Sequence, residues 1–210
     1  MFCEQLSEDG TCQILKEECF RKKIKTQCDF FDHYQLLINR SSDPSLASQI
    51  KSELIGPILE SWKEYARNPS PGKKGMTGYP FEIAIRSAVK EQLDFLGVKV
   101  PEQGKKYPFW KDLNIIADCL IEKEGYPDCI ISMKSWIAEG QIRETFAYAY
   151  FTKMWHGQKN IRVYMLGFTP VEPHLQGLIE ICKPYIDGVY SLSGEPYIDD
   201  LLEELRRVYV

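Results

Sequence analysis

The sequence predicts a mixed α/β fold, with helices flanking a central mixed sheet and an N-terminal helical extension before it. Short isoleucine-rich runs bounded by turn-forming residues indicate strands, and apolar residues repeated every three or four positions indicate helices. From residue 80 onward the predicted order is helix, three strands, helix, strand, helix, strand, helix, which implies a mixed sheet covered on both faces. We assign residues 1–68 to the helical region and residues 69–210 to the α/β core.

The composition is that of a soluble globular protein. The chain has 210 residues, of which 44% are hydrophobic and 27% charged, enough for one well-packed domain. We find no apolar run long enough to cross a bilayer and no N-terminal leader, and we therefore expect a cytoplasmic protein without membrane contact.

The net charge of −4 argues against a protein that coats nucleic acid nonspecifically, but basic residues precede the sequence segment discussed below. These are Lys73, Lys74, Arg86, Lys90, Lys99, Lys105, Lys106 and Lys111.

Residues 1–40 contain amphipathic patches that predict helix, with Leu15, Cys19 and Ile24 at helical spacing. Their basic run suits either DNA contact or a solvated helix face. Four cysteines crowd this region, followed by His33: Cys3, Cys12, Cys19 and Cys28. Because no Cys-x2-Cys pair is present, free thiols are favoured over a zinc site, which stays open as an alternative.

Two helices should follow. The first begins after Pro44, carries Leu46, Ile50, Leu54, Ile58, Trp62 and Tyr65, and ends before Asn68. Pro57 should kink or split it. Residues 68–78 read as a loop, and the second helix has Pro80 in its first turn and ends at Gly97. A short strand is expected at residues 98–100.

The remaining elements are strands at residues 113–121 and 129–136, paired as a hairpin, and then a helix at 141–151. A strand at 161–168, a helix at 175–185, a strand at 188–192 and a helix at 198–208 complete the chain.

Polar side chains interrupt the two apolar strands of the hairpin. Asp118 lies in the first strand, and Ser132 and Lys134 lie in the second. Residues two apart on a strand share a face, so Ser132 and Lys134 point the same way. A carboxylate and an ammonium group in such strands cost free energy unless they are paired or bind a ligand. This segment is the candidate site.

An acid on one strand, a short motif ending in lysine on the next, and a helix after it resemble the PD-(D/E)XK nuclease superfamily. Asp118 matches the first acid and Lys134 the lysine, whereas Ser132 stands where the family usually has Asp or Glu. In some restriction enzymes with serine at this position, a glutamate from the following helix replaces the carboxylate. Glu144 is the match here, and Glu139 is the alternative.

The resemblance implies a restriction-endonuclease-like core that binds Mg²⁺. The ion would be held by Asp118, Glu144 and the Met133 carbonyl, and Glu82, in the first turn of the preceding helix, would bind a second ion or an ordered water. Lys134 would orient the attacking water or stabilise charge on the phosphate. The implied function is Mg²⁺-dependent cleavage of double-stranded DNA at a specific sequence, as in a type II restriction endonuclease acting as a homodimer.

Three alternatives remain. A Gln141-x6-Tyr148 element resembles one found in RecB-like nucleases and points to a repair or recombination nuclease such as a junction resolvase. Ser132 could instead mark a catalytically inactive DNA-binding relative. In a non-nuclease α/β protein, Asp118 and Lys134 would form a structural ion pair. The histidines, His33, His156 and His174, show no metal-binding spacing, and nucleotide-binding glycine loops are absent.

Overall fold

The computed structural model describes residues 11–13, 17–18, 45–67, 78–157 and 161–210. The helices in these ranges are α1 (Leu46–Arg67), α2 (Gly78–Leu93), α3 (Glu139–Trp155), α4 (Gln176–Cys182) and α5 (Ile198–Tyr209). The strands are β1 (Thr11–Cys12), β2 (Glu17–Glu18), β3 (Lys105–Trp110), β4 (Leu113–Ala117), β5 (Cys119–Ile121), β6 (Asp128–Lys134), β7 (Ile161–Gly167) and β8 (Gly188–Ser191). Several residues named above lie outside the described residues: Cys3, Cys19, Cys28 and His33, considered as an alternative zinc site, with most of the basic run and the loop at 68–77.

A four-stranded mixed sheet in the order β5-β6-β7-β8 forms the centre of the fold. Strand β6 is antiparallel to β5 and parallel to β7, and β8 is parallel to β7. Strands β3 and β4 form a separate antiparallel hairpin. The predicted fold class, mixed α/β with a central mixed sheet, is therefore confirmed.

The sheet separates two apolar cores, because alternate residues of each strand point to opposite faces. On one face, Ile131 and Leu166 pack with residues of α1, α2 and α5. On the other, Ile130 and Met165 pack with residues of α3 and α4. Helix α1, inside the region assigned to the N-terminal extension, buries Ile50 in the first of these cores.

Five points of the predicted secondary structure need correction. Strand 113–121 is interrupted at Asp118 and forms β4 and β5, because its first half pairs with β3 and its second half with β6. The predicted strand at 98–100 is reduced to one bridge, between Lys99 and Glu122. Strand β3 was not predicted. It contains Pro108, which a strand tolerates where no ladder bond is needed from its nitrogen.

The other two corrections concern helices. Helix α1 continues through Pro57 and is not split, since packing of its buried face offsets the lost hydrogen bond. Within the predicted N-terminal helix, Thr11–Cys12 and Glu17–Glu18 instead pair as short antiparallel strands. A few apolar residues at helical spacing carry too little information to exclude such nonlocal pairing.

Gly167, the last residue of β7, is required by close packing over the C-terminal end of the sheet. A Cβ atom there would lie 2.5 Å from Ile137 Cδ1, well inside van der Waals contact, and Ile137 is buried. We expect Gly167→Ala to lower the free energy of unfolding by ~1–3 kcal/mol, measured by urea denaturation.

Gly177 in α4 is the matched control, because nothing lies within 4 Å of the position that a Cβ atom would occupy there. Gly177→Ala should be neutral or stabilising by ~0.5–1 kcal/mol. Equal stability of the two variants would contradict the packing role of Gly167.

Candidate functional site

The candidate site forms where β5 and β6 meet the N-terminal half of α3. Asp118 lies between β4 and β5, at the point where the chain leaves the hairpin and joins the sheet. Its carboxylate Oδ2 accepts a hydrogen bond from the Met133 backbone nitrogen at 2.8 Å. Asp118 is thereby fixed against the strand that carries Ser132 and Lys134.

Arg86 of α2 holds the other side of this junction. Its side chain is buried, at 4% exposure. Arg86 Nη1 donates a hydrogen bond to the Asp118 carbonyl oxygen at 2.6 Å. Arg86 Nε donates a second hydrogen bond to the Glu102 carbonyl oxygen at 3.1 Å. The Asp118 carbonyl lies at the strand break, so the guanidinium replaces a sheet hydrogen bond. Sequence reasoning counted Arg86 only among the basic residues and missed this role. Its spacing of four residues from Glu82 on a predicted helix signalled only an ion pair between those two residues, which the structure shows at 3.5 Å.

Lys134 and Glu144 form an ion pair that joins β6 to α3. Lys134 Nζ lies 3.1 Å from Glu144 Oε2, and the Lys134 side chain is 17% exposed. The hydroxyl group of Tyr148, one helical turn beyond Glu144, donates a hydrogen bond to Glu144 Oε1. The Lys134 ammonium also lies 5.8 Å from the centre of the Tyr148 ring.

Glu139, the alternative replacement for the missing carboxylate, lies elsewhere on α3. Its side chain is 60% exposed and pairs with Arg143 at 2.5 Å. Of the two glutamates, the structure brings Glu144 to Lys134.

Ser132 lies at the bottom of the site rather than in its opening. It is 5% exposed and accepts a hydrogen bond from Thr145 Oγ1 at 3.4 Å. Thr145 is also buried. This contact joins β6 to α3 beneath the Lys134–Glu144 pair and gives Ser132 a packing role.

The carboxylates differ in electrostatics. Burial raises the pKa of Asp118, and the negative charge of Glu144 raises it further. The Met133 hydrogen bond and the charges of Lys134 and Arg86 lower this pKa, but by less. Burial and the charge of Asp118 raise the pKa of Glu82, which Arg86 and Lys134 only partly oppose. Burial also acts on Glu144, but hydrogen bonds from Tyr148 and Lys134 outweigh it and lower the pKa of that carboxyl.

These directions separate two kinds of carboxylate. Glu144 is neutralised by Lys134 and Tyr148, whereas Asp118 and Glu82 are less stable as anions and would gain from a cation. In an extended strand the N–H and C=O of one residue point to the same side. The Met133 carbonyl therefore faces the strand of Asp118, as its nitrogen does.

The oxygen donors suit Mg²⁺, which commonly takes one or two carboxylates from a protein and completes its shell with water and phosphate. Asp118 and Glu82, with the Met133 carbonyl, are the donors that fit. Glu144, also predicted as a ligand, lies at the same site with its oxygens hydrogen-bonded to Lys134 and Tyr148, and its role as a ligand stays a prediction. Among the residues that the structure describes, no group of three or more His, Cys, Asp or Glu side chains is placed to bind a metal.

The charge of Asp118 should make the metal-free protein sensitive to pH. Because the pKa of Asp118 is raised in the folded state, folding favours its protonated form. The stability that this preference contributes is complete below the ordinary pKa of 3.8. It is lost as the pH rises through the folded-state pKa. We expect Asp118→Asn to remove this loss and to stabilise the metal-free protein at neutral pH relative to the wild type.

The difference in the free energy of unfolding between Asp118→Asn and the wild type is measured by urea denaturation at several pH values in the presence of EDTA. Glu180→Gln, which changes a carboxyl on the surface of α4, serves as the control and should follow the wild type. If Asp118→Asn loses stability in parallel with the wild type as pH rises, burial of the Asp118 charge is not the cause.

Together the fold and this cluster define an α/β protein with a carboxylate–lysine site at the edge of a mixed sheet. No family model matches the chain, and neither curated proteins nor solved structures give a significant match. Within the described ranges, no helix is both long and apolar enough to cross a membrane.

Proposed function

We propose that the chain is a Mg²⁺-dependent nuclease with a restriction-endonuclease-like core, cleaving double-stranded DNA at a specific sequence as a homodimer. The observation that carries this proposal is the pairing of Lys134 with Glu144 beside the partly buried Asp118. This is the arrangement expected of the family when serine replaces the motif carboxylate. The order of β5, β6, α3 and β7 is also the order the family pattern requires.

Bound Mg²⁺ would supply a nucleophilic water at neutral pH and neutralise charge on the phosphate. Asp118, Glu82 and the Met133 carbonyl would hold the ion, with Glu144 as a further ligand in place of the carboxylate absent at Ser132. The Lys134 ammonium, kept in place by Glu144, would donate a hydrogen bond to the attacking water or to a phosphate oxygen. Tyr148 would in turn fix Glu144 through its hydroxyl. Arg86 would keep Asp118 at the strand junction.

A structural ion pair is the competing interpretation of Lys134 and Glu144. The glutamate side chain is 47% exposed, and exposed pairs contribute little stability. A pair built only for stability also gives no reason for a second carboxylate, Asp118, to be buried nearby with its pKa raised. Destabilised charges of this kind concentrate at functional sites.

A repair or recombination nuclease, such as a junction resolvase, is the second candidate. Its support is Tyr148, the tyrosine of the Gln141-x6-Tyr148 element, which lies within the site and hydrogen-bonds Glu144. In a restriction enzyme built on Lys134 and Asp118 alone this tyrosine has no required role. The two candidates differ in substrate and share the chemistry.

Incubation with phage and plasmid DNA in Mg²⁺ and in EDTA tests both candidates, with branched junctions as parallel substrates. Discrete fragments that require Mg²⁺ would support a sequence-specific endonuclease. Cleavage confined to junctions would support the second candidate. DNA that is bound but never cut would favour an inactive DNA-binding relative, and the absence of both binding and cleavage would contradict the proposal.

A further inference from the structure

An exposed aromatic surface runs from the candidate site along α3. Glu144, Tyr148, Phe151 and Trp155 are spaced by four, three and four residues, so they lie on one face of the helix. Trp110 of β3 packs beside them, with ring centres 5.5 Å from Phe151 and 6.0 Å from Trp155. We call Tyr148, Phe151, Trp155 and Trp110 the aromatic stripe.

The stripe begins at the candidate site, and two of its four rings are exposed to solvent. Phe151 is 38% exposed and Trp155 is 47% exposed, high values for rings that could have been buried against the hairpin. From Glu144 to Trp155 the helix rises by ~16 Å. A ligand lying on Phe151 and Trp155 would therefore reach Lys134 and Glu144 through Tyr148 without leaving the surface.

The charges around the stripe favour an anionic ligand. Between Glu144 and Glu172 the sequence contains no aspartate or glutamate. On the adjacent hairpin, Lys111 directly follows Trp110 and is exposed, and its ammonium group has no ion-pair or hydrogen-bond partner among the described residues. Aromatic rings flanked by unpaired lysines bind nucleic acid by stacking bases on the rings and placing phosphates near the cations.

Unpaired bases fit this surface better than a duplex does. In a duplex the base faces are stacked on one another and cannot lie on a protein ring, whereas a single strand presents them. Resting on the proposed nuclease function, we propose that the aromatic stripe binds an unpaired strand that continues from the scissile phosphate. The preferred substrate would then be DNA with a single-stranded segment, such as an overhang, a flap or an opened junction, which is the kind of substrate expected of the second candidate, a repair or recombination nuclease.

The test compares binding of a fluorescently labelled single strand, a blunt duplex and a duplex with a single-stranded overhang, in EDTA so that no cleavage occurs. We expect Phe151→Ala and Trp155→Ala each to weaken binding of the single strand and the overhang by about 5- to 100-fold. Binding of the blunt duplex should stay unchanged, and Trp155→Phe should restore much of the affinity.

Phe95→Ala is the matched control. Phe95 is 72% exposed and follows α2, away from α3, so its removal should change none of the three affinities. Lys111→Ala should reduce the slope of log affinity against log salt by ~0.7 for the single strand. Thermal unfolding of each variant excludes loss of the fold.

Three results would overturn the inference. Single-strand binding that is equal in wild type and both alanine variants would remove the stripe from the DNA path. A change in molar mass by light scattering, with DNA binding intact, would make the stripe an interface between copies of the chain. Wild-type protein that cuts blunt duplex but does not bind single strands would refute this inference alone, whereas failure to bind any DNA would refute the proposed function as well.

Discussion

Replacing Lys134 by alanine should reduce the rate of Mg²⁺-dependent DNA cleavage by about 10²- to 10⁴-fold, the usual effect of removing a group that acts in the transition state. Lys134 is the cation beside Asp118 and Glu144. Without it, neither the attacking water nor the phosphate has a positive side chain at the end of β6. The measurement is the single-turnover cleavage rate at saturating Mg²⁺.

The fold should survive this change. The pair with Glu144 is partly exposed to solvent, so its loss should cost no more than about 1 kcal/mol of unfolding free energy. Lys183→Ala is the control, because Lys183 pairs with Glu180 on the surface of α4. Cleavage at the wild-type rate by the Lys134 variant would remove that residue from the mechanism.

Replacing Asp187 by asparagine should lower the free energy of unfolding by ~3–5 kcal/mol, the range measured when one partner of a buried ion pair is removed. Asp187 accepts hydrogen bonds from Lys153 at 2.6 Å, Arg162 at 2.8 Å and the Val163 nitrogen at 2.7 Å. Lys153 is 7% exposed in its side chain, so its charge would be left buried without a carboxylate. Because asparagine has nearly the same side-chain volume as aspartate, the decrease in the free energy of unfolding measures the removal of the negative charge.

Urea or thermal denaturation gives the value. Glu180→Gln breaks a surface pair of the same types with Lys183 and should change stability by less than ~0.5 kcal/mol. If both variants lose the same small amount, the cluster around Asp187 is not a stabilising element of the second core. DNA cleavage should be unaffected where the variant stays folded, because Asp187 lies at the opposite end of β7 from Gly167, which pairs with Lys134.

Several elements followed from the sequence because their signals are local. Apolar periodicity predicted α2, α3 and α5, and short apolar runs predicted β5, β6 and β7, since burial of one face requires a regular spacing of apolar residues. The family pattern singled out Asp118, Lys134 and Glu144 before their contacts were known. Their roles in cleavage remain predictions.

Only the tertiary structure decided which groups meet. The strand break at Asp118 depends on whether each half pairs with β3 or β6, and pairing partners are nonlocal. Arg86 reaches the Asp118 carbonyl from a different element, and no spacing along the chain encodes that contact. The choice of Glu144 over Glu139 likewise depended on how α3 is rotated against β6. Local residue patterns determine the elements of this protein, whereas packing between elements distant in sequence determines its site.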